Sequence, residues 1–320
     1  MRKIALEEHF MAPGFEAYWA STFVNISPDL SGKALAALSD FDDRRLETMQ
    51  RDGIEFAVLS LAGPGVQIER DTSVAISGAK LANDLLAHQV SKRPKQYGGF
   101  AHLPLQDPSA AADELERSVR ELGFCGGMVN GCTNGVYLDD QRYEIFWERA
   151  AALETPIYIH PNNPVDIPSM YQGHSELWGP VWSWGVETAT HALRIVFAGV
   201  FARYPKATLI LGHMGEAIPF QLWRLDSRWQ IANRGGRSLL EPPSTYIRKN
   251  IAVTTSGVCS LEPLRCALAA LGEDRIMFSA DYPFENTAEA AHFIDTAPIS
   301  DRLREQLCYM NAERILNLPI

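Results

Sequence analysis

Apolar residues fall along the chain in short runs separated by longer amphipathic stretches. Eight runs stand out: Lys3–Leu6, Phe56–Leu61, Tyr97–His102, Gly126–Val129, Pro156–Ile159, Thr208–Leu211, Ile251–Thr254 and Arg275–Ser279. They are continuous rather than alternating, which is the pattern of strands buried on both faces. The stretches between them carry helix signals. Asp43 to Met49 reads as a helix capped by Asp42 and stopped by Gly53. Asp71 precedes a helix from about Ser73 to Val90, and Pro108 opens another at its first turn. Further helices are expected over Arg142–Leu153, Val186–Phe201, Pro219–Ile231, Leu261–Ala270, Thr287–Phe293 and Asp301–Leu316.

Eight strand and helix alternations predict an α/β fold of the (β/α)8 TIM-barrel type. An open, doubly wound dinucleotide-binding sheet is the rival, but no G-x-G-x-x-G follows an early strand. Residues 1–320 read as one domain, with loop excursions at about 161–182 and 232–246.

Composition narrows the partners. The 320 residues carry 29 Lys and Arg against 39 Asp and Glu, a formal net charge of −10. This argues against nucleic-acid and anionic-membrane partners. An anionic small substrate stays open, because one bound metal ion can invert the local field. No apolar run approaches the ~18 residues that would span a bilayer. Five cysteines without paired short spacing predict free thiols and a cytoplasmic protein. Trp178, Trp182 and Trp184 suggest a homodimer or homotetramer contact.

The candidate chemistry lies at strand ends. Glu7 and His9 follow the first run, His160 the fifth, His213 the sixth and Asp281 the eighth. In a barrel these C-terminal ends converge on one face. Mixed imidazole and carboxylate donors suit Zn2+ or Mn2+. A lone histidine is more often a surface or capping residue. Four such residues at one end of three strands favour a metal site made of Glu7, His9, His160 and Asp281. His213, with Glu216 three residues on, reads as either a ligand or a proton-transfer group. His102 ends the third run without a defensible ligand role, and His191 reads as structural. Phe23 and Phe284 could form apolar walls, Asn130 could bind a hydroxyl, and Arg224 could meet an anionic substrate group.

Glu7-Glu8-His9-Phe10, Ile159-His160-Pro161, Gly212-His213-Met214-Gly215-Glu216 and Phe278-Ser279-Ala280-Asp281-Tyr282-Pro283-Phe284 resemble the amidohydrolase superfamily, and within it the ortho-hydroxybenzoate decarboxylase branch. Ser60 to Gln67, Pro104 to Pro108 and Thr254 to Gly257 extend the resemblance over essentially the whole chain. Hydrolytic relatives usually begin with His-x-His, and Glu7 in the first position points to the decarboxylases. The retained His9 is closer to the γ-resorcylate type, and Gly185-Val186-Glu187-Thr188 to the carboxyvanillate type. The resemblance implies one divalent ion, zinc or manganese, on Glu7, His9, His160 and Asp281, with no organic cofactor. It implies a small aromatic carboxylate substrate, Asp281 as the acid that protonates the ring carbon, and His213 with Glu216 supplying the proton. A metal-dependent lactonase is the alternative.

Overall fold

The computed structural model describes residues 1–20, 22, 28–231 and 239–318. Eight parallel strands run in sequence order: β1 Lys3–Phe10, β2 Ile54–Leu61, β3 Tyr97–His102, β4 Gly126–Asn130, β5 Ile157–His160, β6 Leu209–Leu211, β7 Ile251–Thr254 and β8 Ile276–Met277. Each expected run became a strand of a nearly closed barrel surrounded by helices.

Side-chain alternation splits the strands between two cores. Ile4, Leu6, Phe56, Val58, Phe100, Met128, Tyr158, Ile210, Ala252 and Met277 fill the barrel interior, joined by Ile315 and Leu316 of the C-terminal segment. Their neighbours Ala5, Ala57, Leu59, Ala101, Val129, Ile157, Ile159, Leu209 and Val253 pack outward against the helices.

Two irregularities position the site. First, β1 is longer than the apolar run and takes in Glu7 and His9. Its register against β2 jumps from Ala5 opposite Ala57 to Glu8 opposite Leu59. The extra residue is a bulge. Across it the inward set passes from Ile4 and Leu6 to Glu7 and His9. Second, β8 pairs with β7 only at Ile276 and Met277. The C-terminal segment takes over the neighbouring groups: Phe278 N–H donates to the Leu307 carbonyl at 2.8 Å, and Asn311 Nδ2 donates to the Ile276 carbonyl at 2.8 Å. That segment, expected as one helix, contains a wide turn at Gln306–Met310 between Asp301–Glu305 and Asn311–Ile315.

Other boundaries also moved. The helix expected to start after Asp42 spans Arg44–Asp52, and it is Asp40 that caps it, accepting from the amides of Asp42, Asp43 and Arg45. Gly53 closes it at φ 71°, and Asp71 and Pro108 act as expected at Thr72–Lys92 and Pro108–Arg120. Gly199, at φ 76°, divides the expected Val186–Phe201 helix into Ser183–Phe197 and Val200–Arg203. Helices at Glu16–Ala20, Pro28–Leu38 and Pro243–Asn250 were not anticipated. The 161–182 excursion holds two single turns, Ser169–Tyr171 and Ser175–Leu177.

Candidate metal centre

The donor atoms of Glu7, His9, His160 and Asp281 all lie within 4.8 Å of one another at the C-terminal mouth of the barrel. β1 supplies two of them, β5 one, and the turn after β8 the fourth. His9 Nε2 is 3.4 Å from Asp281 Oδ1, and His160 Nε2 is 3.8 Å from Glu7 Oε1. The two imidazoles meet edge to face, with centroids 4.7 Å apart.

His9 and Glu7 are held from behind, whereas His160 Nδ1 is buried without a partner. Ser60 Oγ lies 3.0 Å from His9 Nδ1 and turns Nε2 toward the centre. Tyr158 donates to Glu7 Oε2 at 2.6 Å, and Ser256 bonds the same oxygen. Thr254 Oγ1 is within 2.9 Å of both hydroxyls. Ser279 Oγ accepts the Glu7 amide at 2.7 Å. What stays unpaired converges: Glu7 Oε1, His9 Nε2 and Asp281 Oδ1 are buried without a hydrogen-bond partner. Orphaned buried polar atoms cost about 1–3 kcal/mol each. A divalent cation would satisfy all three at once, so the residues fit a metal.

Burial raises the Glu7 carboxyl above its usual range, and burial pushes His160 down to about 3, which keeps its imidazole neutral and fit to donate a lone pair. Glu8 turns the other way, accepting from the Ala280 amide at 3.1 Å, and burial lifts it to about 8.

His213 stands just outside this set. Its Nδ1 is 2.8 Å from Glu216 Oε1 and its Nε2 3.7 Å from Asp281 Oδ2. Burial alone would lower its pKa, but Glu7, Glu216 and Asp281 outweigh that and hold it well above the usual value. The same contacts, His213 first and then His9, overcome the effect of burial on Asp281 and keep its carboxyl below the usual range. His213, Met214, Gly215, Glu216 and Ala217 all have positive φ, as does Asp281. Such backbone is costly for non-glycine residues, and it persists where the fold fixes side-chain direction.

A cavity of about 1630 Å³ opens over the centre, lined by Trp19, His160, Trp184, His213, Asp281 and Phe284 among others. Phe284 packs 5.5 Å from the His9 ring. Asn130 ends β4 fully buried behind Gly63, which lines the cavity; its Oδ1 has no partner, and Asn130 itself does not line the cavity. Arg224 is not brought to the site. It is exposed on the helix Ile218–Ile231, outside the cavity lining. Phe23 lies outside the described residues. His102 and His191 are buried and accept the backbone amides of Val66 and Leu138 at 3.0 Å. Ser60, Thr254, Ser256 and Ser279 lie within the motifs that carry the resemblance, but their supporting contacts are not readable from the sequence. Tyr158, two residues before His160 and so on the same strand face, carries a spacing signal.

A (β/α)8 barrel with mixed carboxylate and imidazole donors at its strand ends defines a metal-dependent barrel enzyme. The chain belongs to the amidohydrolase family, whose profile matches residues 23–318. It is 42% identical to the γ-resorcylate decarboxylase of Polaromonas sp. (strain JS666), over 99% of this chain and 98% of that one. A crystal structure of 2,6-dihydroxybenzoate decarboxylase complexed with 2,6-dihydroxybenzoate superposes with a TM-score of 0.94 at 39% identity, covering 99% of this chain and 100% of the other. The dihydroxybenzoic acid decarboxylase of Polaromonas sp. JS666, with bound manganese and the inhibitor 2-nitroresorcinol, matches with a TM-score of 0.93 at 41% identity, covering 100% and 98%.

Proposed function

We propose that this chain is a metal-dependent, non-oxidative decarboxylase of an ortho-hydroxy aromatic acid such as 2,6-dihydroxybenzoate or 2,3-dihydroxybenzoate. The observation that carries the reading is the four-donor centre led by Glu7, at the floor of a cavity with aromatic walls. Full-length similarity to γ-resorcylate decarboxylase favours this over the lactonase alternative.

Glu7, His9, His160 and Asp281 would hold one Mn2+ or Zn2+. When bound, the ion supplies a Lewis-acid anchor for the carboxylate and the adjacent phenolate oxygen. The reaction breaks the bond between ring carbon and carboxylate, places a proton on that carbon and releases CO2, with no net redox change. His213 holds the proton between Glu216 and Asp281. Asp281 receives it and delivers it to the ring carbon, and the electron pair of the broken bond restores the aromatic ring. Trp19 and Phe284 wall the ring.

The chain is read as one domain. It is also read as a homodimer or homotetramer, because Val181, Trp182, Phe220 and Trp223 are each more than half exposed. Its five free cysteines fit the cytoplasm, and no described helix is long and apolar enough to cross a membrane. A panel of hydroxybenzoates and aryl lactones, with metal analysis on the same sample, tests the proposal. CO2 and phenol in equal amounts are expected. Lactone opening without CO2 release would replace decarboxylation by hydrolysis.

A further inference from the structure

The barrel closes where its metal-binding ends meet, and the join there is no regular ladder. The backbone of β1 pairs with the segment after β8 at one bridge, Glu8 with Tyr282, and through one backbone hydrogen bond, from His9 N–H to the Tyr282 carbonyl at 2.8 Å; the side chains of Ser279 and Glu8 make the other links, to the amides of Leu6, Glu7 and Ala280. Arg45 lies across this join. It is only 2% exposed. Its Nη2 donates to the His9 carbonyl at 2.6 Å and to the Ala37 carbonyl at 3.4 Å, and its Nε donates to the Asp40 carbonyl at 2.8 Å. Its guanidinium carbon sits 4.4 Å from the centre of the Tyr282 ring. His9 and Asp281, the neighbour of Tyr282, are the two ligand candidates that face each other across the seam.

Burying a guanidinium is costly, and this one is spent on backbone carbonyls and an aromatic face rather than on a close carboxylate partner. The planar fork reaches several carbonyls while stacking on a ring, which an ammonium cannot do. We infer that Arg45 is a positioning residue of the metal centre: it clamps the β1 and β8 ends together and so sets the separation of His9 Nε2 and Asp281 Oδ1, 3.4 Å. The inference rests on the metal-site reading above. Outer groups that orient ligands typically contribute 10- to 100-fold to metal affinity.

The test is Mn2+ titration of the metal-stripped full chain, with melting temperature measured on the same samples, for wild type, Arg45→Met, Arg45→Lys and Arg117→Met. Arg117 is a control, since it pairs with Glu114 at 2.7 Å and Asp84 at 2.8 Å on the outer helices. Arg45→Met should bind Mn2+ about 10- to 100-fold more weakly. Arg45→Lys, which keeps the charge but not the fork, should fall between that and wild type. Arg117→Met should melt lower with unchanged affinity. If wild type takes up no Mn2+, the metal-site reading falls and this inference with it. If wild type binds and both Arg45 variants bind within about twofold of it, the inference alone is overturned. Should Arg45→Met fail to fold, Arg45→Lys decides by the same criterion.

Discussion

His213 and Glu216 face each other across a left-handed turn, with Nδ1 and Oε1 2.8 Å apart, and this leaves His213 Nε2 toward Asp281. A carboxylate at that position fixes the tautomer and raises the basicity of the ring. Glu216→Gln keeps a hydrogen-bonding group but removes the charge. Its turnover should fall about 10- to 100-fold with metal content unchanged. His213→Ala should fall further, again with the metal retained. Loss of metal in His213→Ala, read by elemental analysis, would make His213 a ligand.

Tyr158 is the deepest support of the centre. Its hydroxyl donates to Glu7 at 2.6 Å inside the barrel, where no solvent can replace it. Tyr158→Phe leaves one Glu7 lone pair and the Thr254 hydroxyl less satisfied. The expected cost is about 1–3 kcal/mol in denaturant unfolding, with Mn2+ bound about tenfold more weakly. Wild-type values for both would remove Tyr158 from the site's support.

Two buried histidines outside the metal-ligand set impose an acid limit on stability. His102 and His191 accept backbone amides through Nε2, so both must be neutral in the fold. Burial lowers them to about 4 and about 3 from an ordinary value of 6.5. The folded-state pKa is therefore depressed, and between these limits the unfolded chain binds more protons. The stabilisation is complete above about pH 6.5 and is lost as pH falls toward 4, with an uptake approaching about two protons on unfolding. Melting temperature measured from pH 7 to pH 4.5 should fall for wild type. It should fall less steeply for the double variant His102→Gln, His191→Gln, whose melting point is already lower at pH 7. Equal slopes would assign the acid sensitivity to other groups.

How much of this was legible in the sequence follows from range of interaction. Continuous apolar runs mark strands covered on both sides, so all eight were visible. The four ligand candidates were visible because strand ends converge in a barrel. The β1 bulge was not, because it depends on Ser279 meeting two successive amides of β1, a contact 272 residues away. The brevity of β8 was hidden for the same reason, since Asn311 and Leu307 occupy its flanks. Asp40 rather than Asp42 caps the helix Arg44–Asp52 because three acids lie close together and only the fold selects one. Arg224 illustrates the converse: a basic residue on a helix says nothing about which face the helix turns outward.

The central claim is that this metal centre releases CO2 by protonating a ring carbon from Asp281. The most direct measurement is CO2 release from 2,6-dihydroxybenzoate by the Asp281→Asn variant, with bound Mn2+ verified on the same sample. The account predicts a metal-replete protein whose turnover is lower by at least about 100-fold. Turnover within a few-fold of wild type at equal metal content would contradict it.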